Sequence, residues 1–187
     1  MTGPRTDIEQ VERANTAFYE AMERGDFEEL SALWLTASDI EDGAGIAVTA
    51  DAFDEPDTAD DADTAGAVVS ARPEISCVHP GWPVLTGRGE VLRSYALIMA
   101  NTDYIQFFLT DVHVSVSGDT ALVTCTENIL SGAPAPEGGP EPGPLVGQLV
   151  VATNVFRRTS AGWKLWAHHA SPVLAETNGD EDDETSA

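Results

Sequence analysis

The second half of the chain contains two pairs of strand-like segments, each joined by a tight turn. In the first pair, Tyr104–Ser117 and Thr120–Leu130 flank Gly118-Asp119, a dipeptide typical of two-residue hairpin turns. In the second pair, Gln148–Thr159 is joined to Gly162–Ser171. Four long antiparallel strands need a layer that covers one face of them, so these hairpins limit the fold more than any other feature of the sequence.

Three helices predicted ahead of the long strands can supply that layer. Apolar residues at spacings of three and four predict an amphipathic helix over Asp7–Arg24. A shorter helix follows Asp26 and carries Trp34 on its apolar side, and a third runs from about Gly89 to Ala100. A short strand is predicted near residues 74–79. This order of elements predicts an α+β fold with helices on one side of the sheet.

Three segments of biased composition interrupt the pattern. Residues 38–72 are rich in Asp, Ala, Thr and Gly, and we predict that they form a disordered insertion. Residues 131–144 are dominated by Pro and Gly, which predicts a long loop. Residues 176–187 form an acidic tail that we also predict to be disordered. The remainder suits a single domain over residues 1–175.

Charge and motifs exclude several classes of function. The formal net charge is -23, which repels phosphate backbones, so we expect no nucleic-acid partner. No apolar run approaches the roughly 20 residues that span a bilayer, and the N-terminus lacks a signal-peptide core, so we expect no membrane and a cytoplasmic location. Cys77 and Cys125 form no metal or redox motif, and nucleotide-binding motifs are missing. We therefore expect no metal and no cofactor.

The register of the two hairpins predicts which side chains share a face. In the first hairpin, pairing across the turn places Val112 opposite Cys125 and extends this apolar face to Glu127. In the second, the same reasoning places Asn154 and His169 on one face and turns their neighbour His168 to the other. A difference of one residue would reverse every assignment in the second hairpin.

Two segments resemble a known family. The order of helices and strands, together with VFRRTSAGWKLWAHHAS and HPGWPVLTGRGEVLRSY, resembles SnoaL-like domains of the nuclear-transport-factor-2-like superfamily. The positions that match the pattern of the family are Phe156, Gly162, Trp163, Lys164, His169, Ser171, Gly87 and Arg88. Gly89 departs from it, because the family usually has Glu or Asp there. The resemblance covers most of residues 8–171, apart from the insertion and the loop.

The resemblance implies a specific form of the α+β fold. Its sheet is a cone-shaped, curved antiparallel sheet with three N-terminal helices packed on its concave face. A cavity lies between the helices and the sheet, and a homodimer forms through the sheet. Members of the family include polyketide cyclases, ketosteroid isomerases, dehydratases and non-catalytic proteins, so the fold does not determine the function.

His169 and Glu127 are the candidate catalytic residues. His169 could act as acid, base or hydrogen-bond donor, or could instead be a structural histidine bonded to the backbone or to Asn154. Glu127 continues an inward face, where a carboxyl group needs a partner or has a raised pKa; otherwise it is a strand-end residue that reaches water. The candidate ligand-binding residues are Asn154, Trp163, Tyr95, Tyr19, His79, Trp82 and Trp34.

The sequence leaves two main functions open. The first is a pocket protein that binds a small apolar ligand without catalysis, or a dimeric accessory domain. The alternative is a cofactor-independent acid–base enzyme, similar to a cyclase, isomerase or dehydratase, that acts on an apolar carbonyl compound. The enzyme requires a cavity that contains a titratable pair with perturbed pKa values, whereas the binding domain does not. A third possibility is an acidic module that binds a partner through the insertion and the tail.

Overall fold

Six strands and four helices make up the described part of the protein. The computed structural model describes residues 4–41, 74–132 and 144–173. The helices are α1 (Pro4–Arg24), α2 (Phe27–Leu33), α3 (Ala37–Glu41) and α4 (Arg88–Ala100). The strands are β1 (Ser76–Val78), β2 (Leu85–Thr86), β3 (Tyr104–Ser117), β4 (Thr120–Gly132), β5 (Leu145–Thr159) and β6 (Gly162–Pro172).

The strands form one curved sheet in the order β2-β1-β6-β5-β4-β3. The sheet does not close within these residues, and α1 packs against both β3 and β6. The apolar stripe of α1, which includes Val11, Phe18 and Met22, is buried between the helix and the inner face of the sheet. The predicted α+β fold, with N-terminal helices on the concave face of a cone-like sheet, is confirmed.

Several predicted boundaries are wrong. The helix Ala37–Glu41 extends four residues into the predicted insertion. Thr36 and Asp39 form a capping box at its start, in which the Asp39 carboxylate accepts a hydrogen bond from the Thr36 amide at 2.8 Å. Strand β4 continues to Gly132, two residues into the predicted loop, and the two-residue strand β2 was not predicted. The remaining parts of the insertion (42–72), the loop (133–143) and the tail (176–187) lie outside the described residues.

A bulge in the first hairpin changes the predicted register near Glu127. From the turn to Val114, β3 pairs with β4 in the predicted register. The register then shifts between Thr110 and His113, and Asp111 within this bulge has a positive φ of 52°. An aspartate tolerates this left-handed conformation better than most residues. The predicted pairing of Val112 with Cys125 is therefore wrong, and Glu127 pairs with Leu109. It still lies on the inner face, because the alternation along β4 is unbroken.

A second bulge reverses the faces predicted for the end of β6. Leu165 pairs with Phe156, as the register counted from the turn predicts. The next pair is Ala167 with Val155, so Trp166 has no partner in β5 and is an extra residue of β6. The indole N–H of Trp166 donates to the backbone oxygen of Glu74, 3.1 Å away, just before β1. Every later residue of β6 therefore points to the face opposite to the predicted one.

Arg88 and the glycine before it position α4 on the domain. Gly87 has φ 79 at the N-cap of α4, a conformation that favours glycine. The Arg88 guanidinium donates to the backbone oxygens of Ser31 at 2.6 Å and Trp34 at 3.1 Å. These bonds cap α2 and fix the start of α4, which brings Tyr95 over the inner face of the sheet.

The outer face of the long strands carries exposed apolar side chains. Phe108 of β3, Leu122 of β4, and Leu149 and Val151 of β5 are each more than 40% exposed. Their buried neighbours along each strand point inward, as the alternation of a strand requires. No helix in the described ranges has the length and apolarity needed to cross a bilayer.

Candidate functional site

A cavity of about 280 Å³ lies between the helices and the inner face of the sheet. Its walls are aromatic and aliphatic side chains from α1, α4, β3, β4 and the loop after β1. The aromatic residues among them are Phe18, Tyr19, Trp82, Tyr95 and Phe107. The other polar side chains in the lining are His79, Thr102, Glu127, Ser131, Gln148 and His168. The cavity thus combines apolar walls with a comparable share of polar groups, and small-molecule sites commonly join apolar walls to convergent polar groups.

The structure brings five of the predicted site residues to this cavity. They are Glu127, Tyr19, Tyr95, His79 and Trp82. Asn154 is completely buried directly beneath the site and contacts two residues that line it. Trp34 and Trp163 are buried outside the cavity lining. The Arg158 guanidinium lies 4.4 Å from the centre of the Trp163 ring, which gives that tryptophan a packing partner near the turn between β5 and β6.

The predicted face of His169 is wrong. His169 is exposed and contacts Ser171 at 3.3 Å, whereas its neighbour His168 is 6% exposed and lines the cavity. The bulge at Trp166 causes this exchange, because the extra residue reverses the face to which every later side chain of β6 points. His168 is therefore a site residue that sequence reasoning missed. The sequence signal for it is the pair of adjacent histidines, since neighbouring side chains on a strand point to opposite faces and one of the two must point inward.

A chain of hydrogen bonds joins Glu127 to His168. Tyr19 donates its hydroxyl proton to Glu127 Oε1 at 2.6 Å, and it accepts a hydrogen bond from Asn154 Nδ2 at 3.0 Å. Asn154 Nδ2 also donates to Asn15 Oδ1 at 2.8 Å. At the other end, Asn154 Oδ1 lies 2.6 Å from His168 Nδ1. The chain therefore links α1, β4, β5 and β6 beneath the cavity.

The donors and acceptors in this chain of hydrogen bonds determine the tautomer of His168. The Asn154 amide oxygen can only accept, so His168 Nδ1 carries the proton. The neutral imidazole then keeps an unprotonated Nε2, and no group in the described parts of the chain is hydrogen-bonded to that nitrogen. His168 thus offers a hydrogen-bond acceptor to a molecule in the cavity.

Burial perturbs the carboxyl group of Glu127. The residue is only 2% exposed, and this burial raises its pKa from an ordinary value to about 7, while the hydrogen bond from Tyr19 acts in the opposite direction. Glu127 is therefore protonated below neutral pH and ionised above it. A group of this kind can take up and release a proton under physiological conditions.

Burial keeps both cavity histidines neutral. It lowers the pKa of His168 to about 3, with smaller contributions from the neighbouring His79 and His169. It also lowers the pKa of His79 to about 4. His79 Nε2 donates to Ser94 Oγ at 2.7 Å, and that hydroxyl donates to the backbone oxygen of Val91. Both imidazoles can therefore act as hydrogen-bonding groups at neutral pH.

The arrangement can transfer a proton and orient a polar ligand group. Glu127 is the group whose protonation changes near neutral pH, and His168 Nε2 is a fixed acceptor in the same cavity. Within residues 4–41, 74–132 and 144–173, no cluster of three His, Cys, Asp or Glu side chains is arranged to hold a metal ion.

Replacing the buried amide tests whether Asn154 sets the tautomer of His168. Asn154→Leu removes the acceptor, so we expect His168 to lose its preference for the Nδ1–H form. Asn154→Asp keeps an acceptor oxygen and should keep the proton on Nδ1. Nitrogen-15 NMR of the imidazole at mildly alkaline pH distinguishes these forms, with the exposed Asn101→Leu as control. An Nδ1–H form that persists unchanged in Asn154→Leu would contradict this role.

The chain is similar in sequence and in structure to a protein of the NTF2-like family. A candidate dehydratase from the NTF2-like family of Streptomyces avermitilis is 68% identical, with a TM-score of 0.73, and the match covers 92% of this chain and 100% of that one. The comparison with curated proteins finds no match.

More distant structures share the fold. A nuclear transport factor 2-like superfamily protein from Salmonella enterica is 12% identical, with a TM-score of 0.64 and coverage of 95% of this chain and 99% of that one. A ketosteroid isomerase-like protein from Erwinia carotovora is 14% identical, with a TM-score of 0.57 and coverage of 90% and 98%. The SnoaL-like domain family matches residues 46–176. The chain therefore belongs to the SnoaL-like domain family, within the NTF2-like superfamily.

Proposed function

We propose that this protein is a cofactor-independent acid–base enzyme in which Glu127 transfers the proton. One observation carries the proposal: a buried carboxyl group with a pKa near 7 lines the same cavity as a neutral histidine whose Nε2 has no partner among the described residues. A catalytic acid or base works best when its pKa lies near the operating pH. A structural carboxyl group gains nothing from such a pKa, because burying a carboxyl group costs stability.

Removal of water from a β-hydroxy carbonyl compound is the reaction that we propose. His168 Nε2 accepts a hydrogen bond from the ligand and orients it. The Glu127 carboxylate takes the proton from the carbon beside the carbonyl group, and the electron pair of that C–H bond forms a carbon–carbon double bond. The adjacent C–O bond breaks, the departing oxygen takes the proton back from Glu127, and water leaves. Glu127 is then ionised again, so the cycle needs no other proton source.

The surrounding hydrogen bonds suit this role. Tyr19 donates to Glu127 Oε1, which stabilises the carboxylate that begins and ends the cycle. The name of the 68% identical protein from Streptomyces avermitilis, a candidate dehydratase, supports dehydration over other acid–base reactions. The apolar walls favour a ligand with a hydrophobic body.

The non-catalytic binding domain is less well supported by the site. That function needs no titratable group in the cavity, yet Glu127, His79 and His168 all line it. Burying three titratable side chains around a ligand site costs stability, and catalysis supplies a reason for their presence.

Proton exchange at an activated carbon tests the function without knowledge of the natural substrate. We expect the protein to exchange the acidic C–H protons of β-tetralone in D₂O, because the Glu127 carboxylate removes them. The exchange rate should rise with pH through about 7 and then level off, since only the ionised form is a base. Proton NMR measures the exchange.

Variants identify the base in the same assay. Glu127→Gln should lower the rate by at least about 100-fold, as expected when a general base is lost. The exposed Glu12→Gln on α1 should leave it unchanged.

The hydrate of benzylideneacetone, a β-hydroxy ketone, then tests dehydration by the absorbance of its product. Absence of proton exchange with the wild-type protein would contradict the proposal and would favour the non-catalytic binding domain.

We also propose that a second copy of the chain packs on the outer face of the sheet. The exposed apolar side chains of β3, β4 and β5 support this, because such patches commonly mark protein interfaces. Leu122→Asp places a charge in the patch and should convert dimers to monomers in sedimentation velocity. Leu97→Asp, at a more exposed leucine position on α4, should not. Wild-type protein that sediments as a monomer would contradict the dimer.

A further inference from the structure

We infer that the inner end of the cavity is a binding site for a primary ammonium group, whose three N–H bonds fit three acceptors: the carboxylate of Glu127 and the unprotonated ring nitrogens of His79 and His168. The inference rests on the proposed function in one respect, because it takes the same cavity as the ligand site. It goes beyond that function by adding a second class of ligand, an organic amine that pairs with the proposed base and so inhibits proton transfer.

Two of the three acceptors are open to the cavity. Tyr19 donates to Oε1 of Glu127, whereas Oε2 has no hydrogen-bond partner among the described residues. His168 donates through Nδ1, which leaves Nε2 unprotonated. In the part of the chain that the structure describes, the side-chain nitrogen and oxygen atoms that are both unpartnered and closed to solvent are the indole nitrogens of Trp34 and Trp163. Glu127 Oε2 and His168 Nε2 are unpartnered but not closed off, so they are accessible from the cavity that their residues line.

His79 supplies the third acceptor through the opposite ring nitrogen. Ser94 gives its single hydroxyl proton to the backbone oxygen of Val91, so His79 Nε2 is the donor to Ser94 and Nδ1 is unprotonated. The thiol of Cys77 lies 3.9 Å from Nδ1, and a charged donor outcompetes so weak a partner. The imidazole centroids of His79 and His168 are 6.5 Å apart, which allows one donor group between the rings to reach both.

The charge of Glu127 acts on the same end of the cavity. Burial raises the pKa of the Cys77 thiol to about 11, a hydrogen bond with Tyr95 acts in the opposite direction, and the negative charge of Glu127 raises it further. Cys77 also contacts His79, because its Sγ atom lies 3.7 Å from Nε2. The carboxylate and the imidazole of His79 therefore share one electrostatic environment.

The polar hydrogens next to Glu127 and His168 are already donated within the protein. Both hydrogens of the Asn154 amide nitrogen are used, one by Asn15 and one by Tyr19. The Tyr19 hydroxyl donates in turn to Glu127. The structure describes eight of the nine Lys and Arg residues, and none of these eight lines the cavity. An ammonium group has three donors and no acceptor, so it supplies both the donors and the cation that the described side chains do not.

Aromatic rings and the overall charge also favour a cation here. The ring of Phe18 lies 5.3 Å from that of His168, measured between centroids. The rings of Tyr95 and Trp82 lie 4.9 Å and 5.2 Å from that of His79. Aromatic rings within about 6 Å attract an ammonium group, and the formal net charge of -23 concentrates cations around the protein. A primary amine with a small apolar body therefore suits the site.

Three probes with one carbon skeleton separate the effect of charge from that of hydrogen bonding. Phenethylamine carries a primary ammonium group at neutral pH, 2-phenylethanol is neutral, and trimethyl(2-phenylethyl)ammonium is a cation without N–H donors. We expect phenethylamine to bind at least about 10-fold more tightly than either of the others in isothermal titration calorimetry, because it alone combines a positive charge with N–H donors. Absence of phenethylamine binding, or equal or tighter binding of the alcohol or the trimethyl compound, would overturn the inference.

Variants locate the bound amine. Glu127→Gln keeps the shape of the side chain but removes its charge, so it should weaken phenethylamine binding at least about 10-fold. The exposed Glu12→Gln on α1 should not weaken it. His79→Phe keeps a ring but removes the acceptor and should also weaken binding, with thermal unfolding as the check that each variant is folded. Binding that either folded variant leaves unchanged would overturn the inference.

The two proposals for this cavity fail separately. Amine binding is measured by calorimetry without any reaction, and the exchange of β-tetralone protons is measured without the amine. Amine binding without proton exchange would contradict the proposed function alone. Proton exchange without amine binding would contradict this inference alone.

Discussion

The buried amide of Asn154 is the contact on which the rest of the site depends. It has no exposure to solvent, so each of its hydrogen-bonding atoms needs a partner within the protein. Asn15 and Tyr19 of α1 accept from its nitrogen, and His168 of β6 donates to its oxygen. One side chain on β5 thereby fixes the helix over the sheet, the tautomer of the histidine and the direction in which the tyrosine proton points.

The apolar surroundings give that network its chemical consequence. In water a glutamate would be ionised at neutral pH and a histidine would be partly protonated. Inside the cavity, the pKa of Glu127 moves to about 7 and that of His168 to about 3. The same burial that makes the carboxyl group a usable proton carrier also removes charge from the imidazole.

Much of the fold follows from local sequence patterns. The tight turn at Gly118-Asp119 fixes one hairpin, and the alternation along β4 correctly places Glu127 on the inner face. The position of His168 could not be predicted in this way, because the extra residue at Trp166 is stabilised by a contact with Glu74, which is 92 residues away in the chain. Local patterns contain no information on such a contact, and a single extra residue reverses the face to which all later side chains of the strand point. The roles predicted for individual site residues remain predictions.

The central claim is that Glu127 changes its protonation state near neutral pH. Carbon-13 NMR of the side-chain carboxyl groups measures this directly, and the signal missing from Glu127→Gln identifies the residue. We expect a titration midpoint at about pH 7. A midpoint near the ordinary glutamate value of about 4.3 would contradict the account, because Glu127 would then be a permanently ionised group rather than a proton carrier.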